Sequence, residues 1–169
     1  MSLRRLSTRA KLIRRVSSAP ELPFQPLELT IGVRKPLDME DGPSHWILIL
    51  AERNAVYGTW FDPIGGPRLS KHWEVLIEQG QLNSLTVDHL YYVAEVPARH
   101  KRKVMASARK VAGKFCQAWI VDVIGDLEEQ GVVPPGTQRR IIDKVEGDPY
   151  ADVAPKTGRQ NFMLGCFTG

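Results

Sequence analysis

The sequence is poor in the features that most easily give a function away. It has two cysteines, Cys116 and Cys166, far apart along the chain. That is too few for a disulfide framework and fits a reducing, intracellular setting. No Cys/His cluster has zinc-ligand spacing, and no glycine pattern matches a phosphate loop or a dinucleotide fingerprint. Neither a metal nor another cofactor is expected. No apolar run approaches the ~20 residues of a membrane span, so no integral membrane segment is expected. An uninterrupted apolar stretch of the secretory type is missing from the N-terminus.

Acidic residues are absent from residues 1–20, which carry Arg4, Arg5, Arg9, Lys11, Arg14 and Arg15. Of 23 basic residues, these six leave 17 against 19 acidic ones in the remainder, so the net charge of +4 conceals a body of −2. The basicity belongs to an arm, and the near-neutral body has no nucleic-acid footprint. Leu3, Leu6, Ala10, Ile13 and Val16 share one face if the arm is helical. The Arg- and Ser-rich composition suits either a mitochondrial transit peptide or a basic tail on a cytoplasmic protein. Pro20, Pro23 and Pro26 end any helix there. The expected organisation is an arm over 1–22, one domain over 23–154 and a tail over 155–169.

Within the domain, "LELTIGVRK" (27–35) alternates as a strand does. "HWILILAE" (45–52) is an almost continuous apolar run of strand length, and "VYGTWFDPI" (56–64) returns as the second arm of a hairpin. In "LSKHWEVLIEQGQL", Ser70 has N-cap chemistry, and Trp73, Leu76 and Ile77 have helical spacing, so a helix is expected. "TVDHLYYVAEV" (86–96) is a further strand. Pro97 opens a helix that breaks near Gly113. A second helix starts at about Cys116 and ends at Gly131 as its C′ residue, and "TQRRIIDKVEGDPYAD" gives a short third helix and a loop. The order predicts an α+β fold, a small, mostly antiparallel sheet with helices packed on it.

Three residues combine into chemistry. His45 begins the most apolar strand, Asp62 lies near the end of the next, and Cys116 starts a helix. A free thiol has a pKa near 8.5 and is mostly protonated at neutral pH; a neighbouring imidazole and a helix N-terminus bring it down. The imidazole in turn needs an acceptor on its other nitrogen, and a hairpin can bring Asp62 beside His45. Main-chain N–H groups around Cys116 and Gln117 are candidate oxyanion donors. The order "SHWILILAE" followed by "FCQAWIVDVIGDLEEQGV" resembles the circularly permuted papain-like cysteine enzymes of the NlpC/P60 superfamily, such as the lecithin–retinol acyltransferase-like and PPPDE peptidase groups. The resemblance spans residues 44–131. It implies a permuted papain-like architecture with Cys116 as nucleophile, His45 as base and Asp62 as the polar third residue.

Plainer readings compete. Cys116, Ile120, Val123, Ile124 and Leu127 share one helical face, where cysteine is often simply core. Trp46, Trp60, Trp73 and Trp119 also read as core. Trp60 and Tyr57, however, flank Asp62 and would wall a cleft, and Trp46 and Gln117 adjoin the histidine and the cysteine. These four are the candidate substrate contacts. His72, His89, His100 and Cys166 have no evident role. The expected function is a cysteine-dependent hydrolase or acyl transferase acting on an amide, ester or thioester carbonyl of a small-molecule or peptide substrate. The alternatives are a non-catalytic peptide- or metabolite-binding module, favoured by Phe115 beside the cysteine, and a cyclase or isomerase using His45 and Asp62 by acid–base catalysis.

Overall fold

A computed structural model describes residues 25–35 and 42–150. The arm and the tail expected from the sequence lie outside the described residues. Five strands form one sheet: β1 (Leu27–Arg34), β2 (His45–Glu52), β3 (Tyr57–Gly66), β4 (Lys71–Gln81) and β5 (His89–Val96). Their order is β4-β3-β2-β1-β5, and every neighbouring pair is antiparallel. Helices α1 (Lys101–Lys110), α2 (Cys116–Glu129) and α3 (Thr137–Ile142) follow the sheet in sequence. The protein is thus α+β. Among the described residues no helix is long and apolar enough to cross a membrane.

The two faces of the sheet explain the strand sequences. In β1, Leu27, Leu29, Ile31 and Val33 point into the helix-covered core, as a period of two requires. β2 reads as an unbroken apolar run because both its faces are covered. Trp46, Leu48 and Leu50 belong to the main core, whereas Ile47 and Ile49 pack with Trp60 beneath Leu82 and Leu85 on the opposite side.

The segment expected as a helix over 70–81 is instead strand β4. Trp73, Val75 and Ile77, two residues apart, pack against the main core, and β4 pairs with β3 from Tyr57↔Gln81 to Gly66↔Lys71. The apolar residues at 73, 75, 76 and 77 satisfy both periods locally, and pairing with β3 decides between them. Ser70 is not an N-cap but a left-handed turn residue, with φ +50, before β4.

α2 is the central helix. Trp119, Ile120, Val123, Ile124 and Leu127 are fully buried, each worth about 1.5–3 kcal/mol on removal from water. Its C-terminus closes with Gly131 at φ +64, where Gly131 N donates to Glu128 O and Val132 N to Leu127 O. These are the paired bonds of a Schellman motif, which a residue with a Cβ would strain. Asp126 ties α2 to α1 by accepting from Ser107 Oγ at 2.5 Å and from Lys110 Nζ.

The end of β3 is shaped by Gly65 and Gly66, at φ +101 and +93. The β3–β4 register shifts between Ile64 and Gly66. A Cβ at Gly65 would lie 2.2 Å from the main-chain oxygen of His72. Gly65→Ala is therefore expected to destabilise the protein by about 2 kcal/mol or more, from left-handed strain plus the clash. Urea denaturation measures this; a loss below about 0.5 kcal/mol would mean that the bulge does not form as described.

Candidate active site

His45 is the first residue of β2, and Asp62 lies near the end of β3. The β2–β3 ladder pairs Leu48 with Phe61 at this end. Beyond it His45 Nε2 meets Asp62 Oδ1 at 2.6 Å, with side chains 31% and 19% exposed. Cys116 is the first residue of α2, and its Sγ accepts the main-chain N–H of Trp46 at 3.4 Å. Cys116 lines the same cleft as His45 and lies close enough to help raise the pKa of its ring. With Nε2 engaged by Asp62, the ring nitrogen left for sulfur is Nδ1. The three residues lie together in the order carboxylate, imidazole, thiol.

Burial opposes charge on the His45 ring. The hydrogen bond to Asp62, together with the nearness of Cys116 and the attraction of both groups, outweighs it and pushes its pKa from 6.5 up to about 9. The shift favours the imidazolium form at neutral pH, with Asp62 as its acceptor.

The α2 N-terminus is bare. Phe115 occupies the N-cap position and makes no side-chain capping bond, so among the described residues the first-turn N–H groups and the positive end of the helix dipole are not consumed by a side-chain acceptor. Gln117 does something different from contacting substrate. It is completely buried, its Nε2 donates to Ser44 O at 2.9 Å, and its Oε1 accepts from Glu146 N at 2.7 Å. Ser44 N in turn donates to Glu146 Oε2 at 2.6 Å. The residue before His45 and the segment after α3 are thereby fixed to the first turn of α2.

A cleft of about 250 Å³ opens beside Cys116 and His45. Its walls come from residues 42–44, the end of β3, Trp73 of β4, Phe115, and Pro149–Tyr150. Tyr150 stands edge-on to Trp73 at 5.6 Å and to Phe115 at 6.2 Å between ring centroids. Cys116 is only 3% exposed, and it lines this cleft. A larger cavity of about 570 Å³ lies at the other end of the β2–β3 hairpin, and its described walls carry no cysteine or histidine.

The other proposed substrate contacts fall elsewhere. Tyr57 is 63% exposed and lines that larger cavity, five residues from Asp62 along β3, a distance of about 17 Å. Trp60 packs on the opposite sheet face and donates from Nε1 to Glu78 Oε2 at 2.9 Å. Trp46 is buried in the main core, and what it offers the site is its main-chain N–H. Trp73, Pro149 and Tyr150 line the cleft without a sequence signal. Trp73 could have been found only by reading its segment as a strand.

Two outcomes follow. Asp62→Asn removes the first group that raises the His45 pKa, so the imidazole should titrate well below 9, as followed by NMR of its ring protons. A raised histidine pKa stabilises the fold fully below about pH 6.5 and progressively less as pH climbs to 9; the stability advantage of wild type over Asp62→Asn should shrink across that window. Gln117→Leu leaves Ser44 O and Glu146 N without their partner and should cost about 1–3 kcal/mol in chemical denaturation.

Comparison of the chain with known protein families, curated proteins and solved structures gives no match.

Proposed function

We propose that this protein is a cysteine-dependent hydrolase or acyl transferase built on the permuted papain-like, NlpC/P60-like plan. The observation that carries the reading is His45, hydrogen-bonded to Asp62 and sharing one cleft with Cys116 at the start of α2. The histidine–polar residue–cysteine order, with the cysteine at a helix start, supports the family resemblance.

In this mechanism Cys116 reacts as the thiolate, the form in which cysteine sulfur is the nucleophile. Sγ attacks the carbonyl carbon of an amide, ester or thioester, and the C–O π pair moves onto oxygen. N–H groups of the uncapped α2 terminus are suited to stabilise that oxyanion. The carbonyl re-forms, the leaving group departs with a proton from His45, and an acyl-Cys116 remains. His45, now neutral, takes a proton from water or another nucleophile, which attacks the acyl carbon and expels the thiolate. Asp62 holds the ring in place and favours its charged form.

One observation favours a non-catalytic reading: Cys116 is nearly buried and belongs to the same cluster as Ile120 and Ile124. Cys116→Ser and Cys116→Ala separate the two. For a nucleophile, both variants keep similar stability and hydrolysis of activated esters falls by about 10³-fold or more. For a packing residue, Ala is more stable than Ser, because the buried hydroxyl costs about 1–3 kcal/mol, and function survives in both. Reaction of Cys116 with iodoacetamide faster than Cys166 near neutral pH supports the first.

A further inference from the structure

The composition of the cleft points to the acyl group it takes. We propose that the group presented to Cys116 is compact, uncharged and ring-bearing, an arylacetyl-type acyl group or the equivalent aromatic side chain; this rests on the acyl-transfer reading above.

Four features lead there. The first is size. At about 250 Å³ the cleft falls below the ~300–1,000 Å³ of pockets that bury drug-sized ligands. It suits one ring with a short link to the carbonyl. The second is charge. Apart from His45, no described side chain lining the cleft is an acid or a base. An ammonium on the acyl group would be desolvated there without a partner, and a carboxylate would find only His45, which Asp62 already engages. The third is the wall. Ile64, Leu69, Trp73, Phe115, Pro149 and Tyr150 enclose the space next to the sulfur. The Trp73–Tyr150 and Phe115–Tyr150 pairs are edge-to-face, so these aromatic side chains are already locked by one another and an incoming ring meets a preformed surface. The fourth is rigidity of the frame. Ser44, which lines the cleft, and Glu146, three residues before the lining Pro149, are clamped through Gln117, which disfavours widening for a long chain.

p-Nitrophenyl esters test this on the full chain. Acylation forms the Sγ–C bond and breaks the ester C–O bond, and p-nitrophenolate leaves as the anion and is read by its absorbance. Acyl-Cys116 is read by intact mass. The phenylacetyl ester should acylate Cys116 about tenfold faster than the acetyl ester, the size of discrimination an apolar pocket gives. The decanoyl and hemisuccinyl esters should be slower than phenylacetyl by at least as much. Leu69 is 61% exposed, so Leu69→Lys should leave the fold intact. It should raise the hemisuccinyl rate relative to phenylacetyl by about tenfold, and the thermal midpoint checks that the fold persists.

Equal rates for phenylacetyl and acetyl, or a decanoyl ester that matches phenylacetyl, would overturn the ring-bearing assignment while acyl transfer at Cys116 stands. No acylation of Cys116 by any ester, with iodoacetamide also unreactive toward it, would overturn both.

Discussion

Burial of α2 against the sheet is the constraint on which the site depends. Trp119, Ile120, Val123, Ile124 and Leu127 are fully buried, and the helix cannot slide without exposing several of them. That register sets where the first turn of α2 falls. It falls at the start of β2, where Cys116 Sγ accepts from the Trp46 N–H and Gln117 Nε2 donates to the Ser44 carbonyl. Core packing thus works as a positioning device. The apolar stripe that makes Cys116 look like a core residue is the same stripe that delivers it to the cleft beside His45, so its burial is compatible with the proposed chemistry.

The charge arrangement at the junction runs against burial and has to be compensated locally. An imidazole in this position would by desolvation alone be neutral. Asp62 and the nearby Cys116 reverse that, and the pKa rises to about 9. The compensation is geometric, since Asp62 reaches His45 past the last β2–β3 pair, where the strands no longer hold each other in register. The bulge at Ile64–Gly66 then carries the chain from β3 along the cleft into the turn before β4. One irregularity in the sheet follows the acceptor and lines the opening.

Much of this was legible from the residues. The almost continuous apolar run of 45–52 marks a strand, which the structure covers on both faces, and Gly131 marks the helix stop. His45, Asp62 and Cys116 were singled out because their residue types suit one chemistry, and they do lie together. The β4 segment misled because its apolar residues at 73, 75, 76 and 77 serve either period, and only pairing with β3 distinguishes them. Tyr57 and Trp60 were grouped with Asp62 by closeness in sequence. Trp60 packs over Ile47 and Ile49, whereas Asp62, two residues on, lies beyond the last β2–β3 pair and turns to His45. Five residues of extended chain carry Tyr57 to the far end of the hairpin. Proximity in sequence is a poor guide to a cleft wall when the wall is contributed by a strand end.

Phe115 shows how a side chain's direction changes its meaning. Read beside Cys116 in the sequence, an aromatic ring threatens to crowd the sulfur. In the structure the residue sits at the N-cap position with φ −44 and ψ 128, outside the helical turn. Its ring stands edge-on to Tyr150 and lines the cleft. Because it offers no capping oxygen, it leaves the first-turn N–H groups of α2 without a side-chain acceptor. A Ser, Asp or Asn in that place would stabilise the helix by about 0.5–2 kcal/mol but would engage a donor at the point where a negative charge would develop. The less stabilising residue is the one that keeps the helix terminus open beside the thiol.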